Sequence, residues 1–290
     1  MEKLLVSFSG GETSAYMTWW IWNNWRDKYE IIVAFANTGE ENEQTLEFVQ
    51  RFSQHFNIPV VWVEAVVHHG RRKGSTHKVV NFETASRNAE PFREVVKKYG
   101  LPNQSFPHCT RELKAGPLQS YPLSVGWKSW YTAIGIRHDE IDRISVKKEA
   151  KKLLYPLIKD RPMSKLTINF WWSQQPFRLN LKGYQGNCKA CWKKNDPKLY
   201  MIARETPEAF RNQIQLENDF GKYIPESRLS KMRERGEKPV YPVVSYRKGR
   251  SVHDIFKQAE MFTGGVVNDA EMYDLHNESC EVFTDCGIDN

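Results

Sequence analysis

Apolar residues in the first third of the chain gather into short runs separated by amphipathic stretches. The runs Lys3 to Phe8, Tyr29 to Ala36 and Val60 to Val66 have the length of buried strands. Between them, Ser14 to Trp25 and Glu43 to Phe56 have helical spacing, with Leu46, Val49 and Phe52 on one face. Strand and helix in alternation predict βαβ units and a doubly wound parallel sheet of α/β class. A fourth strand is expected at Ser129 to Ile136. His68 to Lys78 is basic and contains glycine, so it is expected to be a mobile loop beside the sheet. Beyond Asn169 the pattern thins into turns and short helices such as Lys198 to Arg204. The chain is therefore read as an α/β domain over 1–146, with a less regular, cysteine-containing portion over 147–290 packed on it.

Composition narrows this picture. With 290 residues and 40% hydrophobic content, one large domain, or a domain with an attached lobe, can bury a core. There is no run of about 18 apolar residues and no secretory signal, so a soluble, cytoplasmic protein without a membrane partner is expected. The net charge of +7 suits an anionic partner but does not choose between a small phosphate and nucleic acid. Five cysteines, an odd number in a chain lacking an export signal, direct attention to metal binding or thiol chemistry rather than a disulfide framework. Most of the ten tryptophans, including Trp19, Trp20, Trp22, Trp25, Trp171 and Trp172, are expected in the core.

Chemistry concentrates first at Ser7-Phe8-Ser9-Gly10-Gly11-Glu12-Thr13-Ser14, after a predicted strand and at the start of a predicted helix. Gly10 and Gly11 can turn successive amides toward an anion. Ser7, Ser9, Thr13 and Ser14 offer hydroxyls, and the helix start adds partial positive charge. A serine-capped helix after an ordinary glycine turn is the alternative. Asn37-Thr38-Gly39 follows the second predicted strand, at the sheet edge where open α/β sheets bind ligands. Gly135, Arg137 and Arg143 follow the fourth, where guanidinium groups suit phosphate or sulfate; surface ion pairs with Asp139 and Asp142 are the competing explanation. Cys188-Lys189-Ala190-Cys191 places two thiols across a tight turn. Cys109 lies far upstream, and Cys280 or Cys286 could complete a four-cysteine site.

Ser9-Gly10-Gly11-x-x-Ser14 resembles the SGGxxS loop of the PP-loop family, which holds ATP between its α- and β-phosphates. Glu12 stands where that family more often has Asp and retains a carboxylate for Mg²⁺. The Gly135-x-Arg137-x-Asp139-x-x-x-Arg143 segment resembles 3′-phosphoadenylylsulfate (PAPS) and adenylylsulfate reductases. Ala85 to Phe92 and Gly183 to Cys188 resemble a phage-type reductase-like subgroup, in which Arg87 would face the nucleotide. The resemblance implies a [4Fe–4S] cluster on Cys109, Cys188, Cys191 and Cys280, with Zn²⁺ as the alternative. His108 stands where adenylylsulfate reductases have another cysteine. Thr284-Asp285-Cys286-Gly287 resembles the reductases' mobile tail, making Cys286 the implied nucleophile.

The implied ligands are ATP, PAPS or adenylylsulfate. The implied partner is a thiol reductant such as thioredoxin, while nucleic acid and a homodimer are left open. Two other classes share the loop: ATP-dependent sulfur or adenylyl transferases acting on tRNA or DNA, as in thiolation and phosphorothioation, and non-catalytic nucleotide-sensing modules.

Overall fold

Two-residue alternation along the first strand sends Leu4, Val6 and Phe8 to one face of the sheet and Leu5 to the other. All four are buried, so both faces must be covered by helices. The computed structural model describes residues 1–70, 73–186 and 188–264. In chain order its elements are β1 (Glu2–Ser7), α1 (Glu12–Asn24), β2 (Tyr29–Asn37), α2 (Glu43–Phe56), β3 (Val61–Val66), β4 (Thr76–Val80), α3 (Glu90–Tyr99), α4 (Gly116–Ser124), β5 (Tyr131–Ala133) and β6 (Leu153–Leu154). There follow α5 (Pro156–Lys159), α6 (Lys165–Ser173), α7 (Asp196–Glu205), α8 (Arg211–Phe220), α9 (Glu226–Glu234) and α10 (Val252–Met261). A π-helical turn, Arg111–Ala115, leads directly into α4.

The sheet order is β4-β3-β2-β1-β5-β6. β3, β2, β1, β5 and β6 run parallel, and β4 pairs antiparallel with β3. The α/β expectation with a mainly parallel sheet is therefore met. The expectation of a loop over His68 to Lys78 is corrected in part: Thr76–Val80 forms β4, with Val63 opposite Val79 and Glu64 opposite Lys78. Three of the five residues of β4 are exposed and none is fully buried, which is why its sequence looks like a solvated loop.

On one face, α1, α2 and α6 cover Leu4, Val6, Val33 and Phe35. Here α1 is apolar nearly all round, because it lies between the sheet and α6. Tyr16 and Trp19 both pack on Trp171, with ring centroids 5.1 and 4.9 Å apart. Ser164 caps α6 by accepting a hydrogen bond from the Thr167 amide. On the other face, α4 covers Leu5, Ala34, Ala36 and Val63 through Leu118. A further apolar cluster joins α3 to α7, α8 and α10 around Val95, Ile202, Phe210 and Ile255. No helix among the described residues is long and apolar enough to cross a membrane.

Candidate functional site

β1 ends at Ser7 on the C-terminal edge of the parallel sheet, and the chain turns through Ser9, Gly10 and Gly11 into α1. Gly10 has φ +81°, and a Cβ there would lie 2.7 Å from Thr45 Cγ2 on α2, so a glycine is required on both counts. Gly11, at the cap position of α1, is extended, with φ −99° and ψ 158°. The turn is braced from within: Ser14 Oγ accepts from the Ser9 amide at 3.1 Å, lies 2.9 Å from Ser9 Oγ and donates to the Gly11 carbonyl at 2.9 Å. The amides of Gly10 and Gly11 donate to no main-chain acceptor among the described residues. Those of Glu12 and Thr13 belong to the first turn of α1, where helix geometry supplies no partner. The order β2-β1-β5 puts this turn where connections leave toward opposite sides, the crevice in which open α/β sheets hold ligands.

β5 brings the arginine segment alongside. A Cβ on Gly135 would meet Ser14 Cα at 3.1 Å, so glycine lets this strand end close on the start of α1. Arg137 donates through Nε to Asp139 (2.9 Å) and through Nη1 to Thr13 Oγ1 (3.3 Å), and it pairs with Glu140 (3.3 Å). Arg143 also pairs with Glu140. The glycine turn, Gly135 and Arg137 are therefore neighbours. Ser7 is buried at the end of β1. Glu12 is held by Arg178, whose Nη2 and Nε donate at 2.8 and 3.0 Å, and by the Leu179 amide at 3.2 Å.

Asn37, Thr38 and Gly39 sit at the same edge but are spent on the protein itself. Asn37 donates to Glu64 and to the Ser86 carbonyl, and Gly39, with φ +79°, abuts Ala89. Arg87 donates to Glu43 at 2.8 and 3.0 Å and to the carbonyls of Phe82 and Ala85. Thr38 faces a different feature. Its Oγ1 lies 3.7 Å from Cys188 Sγ.

That contact belongs to a cavity of about 20 Å³ lined by Cys109, Cys188 and Cys191 together with Thr38, Lys114 and Gln213. The cysteine turn reaches it by docking on the corner after β2. Glu41 and Cys188 form an antiparallel bridge, the Lys189 amide donates to the Glu40 carbonyl at 2.8 Å, and the Tyr246 hydroxyl donates to the Ala190 carbonyl at 2.9 Å. Cys109 arrives immediately before the π-helical turn that carries Lys114. Two further wall residues, Thr110 and Trp192, have buried side-chain donors, Oγ1 and Nε1, with no partner among the described residues.

The three thiols share a wall without converging: among the described residues, no three His, Cys, Asp or Glu side chains form a set able to hold a metal ion. Cys280 and Cys286 lie outside the described residues. His108 is not in the cavity wall. It is buried against Tyr99, and burial lowers its pKa to about 3.

Glu40 directly follows the Asn37-Thr38-Gly39 segment that the sequence singles out, whereas Gln213 and Tyr246 escape sequence reasoning. Glu40 is fully buried; desolvation raises its pKa to about 7, although Asn212 (2.8 Å), Gln213 (3.4 Å) and nearby Lys189 favour the charged form. Gln213 and Tyr246 carry no local pattern at all.

The fold and its edge define an open α/β protein with a glycine turn at the switch point of the sheet. No protein-family model matches the chain. It is 30% identical over 289 aligned residues to the uncharacterized nin region protein ORF290 of Escherichia phage lambda, covering 96% of this chain and 94% of that protein, and it belongs to that protein's family.

Proposed function

We propose that the chain is an adenine-nucleotide-binding enzyme of the sulfonucleotide reductase-like kind, with a thiolate-held metal centre beside the nucleotide site. The observation that carries the nucleotide reading is the turn itself. The Gly10 and Gly11 amides make no main-chain bonds among the described residues, the start of α1 follows, and Arg137 lies next to Thr13. These groups would hold the leaving phosphate. The pairing of Glu12 with Arg178 favours a reductase over an ATP pyrophosphatase, because a neutralised carboxylate is a poor ligand for the Mg²⁺ that polyphosphate chemistry uses.

In the proposed reaction a cysteine thiolate attacks the sulfur of the bound sulfonucleotide. The sulfur–oxygen bond to the α-phosphate breaks, and AMP or its 3′-phosphate leaves with the bond pair. An S-sulfocysteine remains. An external dithiol of the thioredoxin type attacks the cysteine sulfur, sulfite departs, and the second thiol of the reductant resolves the mixed disulfide. Cys286 is the candidate for the attacking thiolate.

Cys109, Cys188 and Cys191 fit a metal centre by donor type, with Lys114 offsetting thiolate charge and Thr110 Oγ1 and Trp192 Nε1 available to sulfur. A cluster would supply electrostatic stabilisation or an electron reservoir when bound. A single Zn²⁺ is the second reading, since the cavity the three thiols line is small, about 20 Å³. Cys280 is the candidate fourth ligand.

Anaerobic purification with absorption spectra and iron, sulfide and zinc assays separates cluster from zinc. Sulfite release from PAPS or adenylylsulfate, abolished in Cys286→Ser, supports the reductase. Pyrophosphate release from ATP in the presence of RNA or DNA supports a transferase instead, and binding of nucleotide without turnover supports a sensing module.

A further inference from the structure

A second opening lies on the other side of Glu12. Gln44, Glu47, Phe48 and Arg51 recur at helical spacing on α2, and Arg178 and Asn180 face them across a cleft of about 190 Å³. Phe48 is buried and floors the cleft, while the five polar side chains are exposed around it. Arg178 spends Nε and Nη2 on Glu12, leaving Nη1 as a donor, and Arg51 makes no hydrogen bond or ion pair with any described residue. Two guanidinium groups with two primary amides make a donating rim, opposed by the carboxylate of Glu47 and, through Arg178, by that of Glu12.

We propose that this cleft binds a small tetrahedral oxyanion of the sulfate or phosphate class, held by Arg51 and Arg178 with help from the Gln44 and Asn180 amides. The site is distinct from the glycine turn and independent of the nucleotide reading. It is nevertheless wired to that turn: an anion in the cleft competes with Glu12 for Arg178, and Glu12 is the first residue of α1. Oxyanion binding therefore loosens the clasp between the segment around Leu179 and the start of α1.

Titration calorimetry of the full chain with sodium sulfate, exchanged against chloride at constant ionic strength and without nucleotide, tests this. Saturable binding is expected, weakened about tenfold or more in Arg51→Gln. It should be strengthened several-fold in Glu47→Gln, which removes the like charge and so distinguishes direct contact from a structural effect. Inorganic phosphate and adenosine 3′,5′-bisphosphate identify the source. Equal affinity for all three marks a free-ion site, and at least tenfold tighter, Arg51-dependent binding of the bisphosphate marks a site for a phosphate carried on a nucleotide. Non-saturable sulfate heats in the wild type, or isotherms unchanged by both substitutions, would overturn the proposal. AMP binding followed in the same way should respond to Gly11 and not to Arg51, so failure of either site leaves the other standing.

Discussion

Replacing Gly10 and Gly11 one at a time by alanine should separate folding from binding at adjacent positions. At Gly10 the added methyl adopts a backbone conformation at φ +81° that costs an L-residue about 1–2 kcal/mol. It also meets Thr45 Cγ2 at 2.7 Å and Phe35 Cε2 at 3.1 Å, an overlap worth about 1–3 kcal/mol in a packed interior. The sum, about 2–5 kcal/mol, corresponds to a fall in Tm of about 4–10 °C for a chain of this size. At Gly11 the backbone is extended and the nearest atom to a new Cβ is Ser9 Oγ at 3.8 Å. The small loss in capping preference is offset by reduced freedom of the unfolded chain, so stability should stay within about 0.5 kcal/mol. The same methyl stands beside the amides offered to an anion and should weaken AMP binding about tenfold or more. Thermal melts and calorimetry read the two effects separately. Equal melting temperatures for wild type and Gly10→Ala would refute the packing argument, and unchanged AMP affinity in a well-folded Gly11→Ala would remove the turn from the binding site.

Four more outcomes are expected. Glu40 is protonated in the folded protein up to about pH 7 but ionises near 4.5 when unfolded, so the folded state binds more protons between those values and stability falls as pH rises through that window. The loss approaches about 3 kcal/mol above pH 7, and Glu40→Gln should flatten this part of a urea-denaturation pH series; an unaltered profile would contradict the assignment. Bound iron or zinc per chain, measured by mass spectrometry after anaerobic purification, should drop sharply in Cys109→Ser, Cys188→Ser and Cys191→Ser alike, and full occupancy in any one of them would exclude that thiol. Glu12→Gln should lower Tm by only about 2 °C, since its pairing with Arg178 is partly exposed and worth about 1 kcal/mol. In the wild type, nucleotide affinity should be the same with and without Mg²⁺; a strong dependence on the metal would restore Glu12 as a ligand.

The three long parallel strands and the two helices between them are legible because each buries one unbroken surface, and burial writes periodicity into sequence. Leu46, Val49 and Phe52, chosen from spacing alone, are all fully buried under α2. β4 is obscured because three of its five residues are exposed, and β6, with only Leu153 and Leu154, is too short to carry a period. At the site, the glycine turn is visible because its backbone demands small residues at fixed positions. Arg137 is visible because a charged residue directly after a buried strand is conspicuous. The cavity is a different case. Cys109 and Cys188 stand out as residue types, but their meeting with Lys114 and Gln213 depends on how α8 and the π-helical turn pack, and no local pattern encodes that.

The bridge between Glu41 and Cys188 joins positions far apart along the chain, across nearly the whole sheet-forming part of the protein. All six strands found among the described residues are complete by Leu154, so the sheet can close behind the ribosome while the cysteine turn is still being made. Its docking ledge after β2 is thus finished before there is anything to dock. An ion gripped by these thiols would have to be captured as one of the last events of maturation, and a cell short of that ion would accumulate chains whose sheet is already sound.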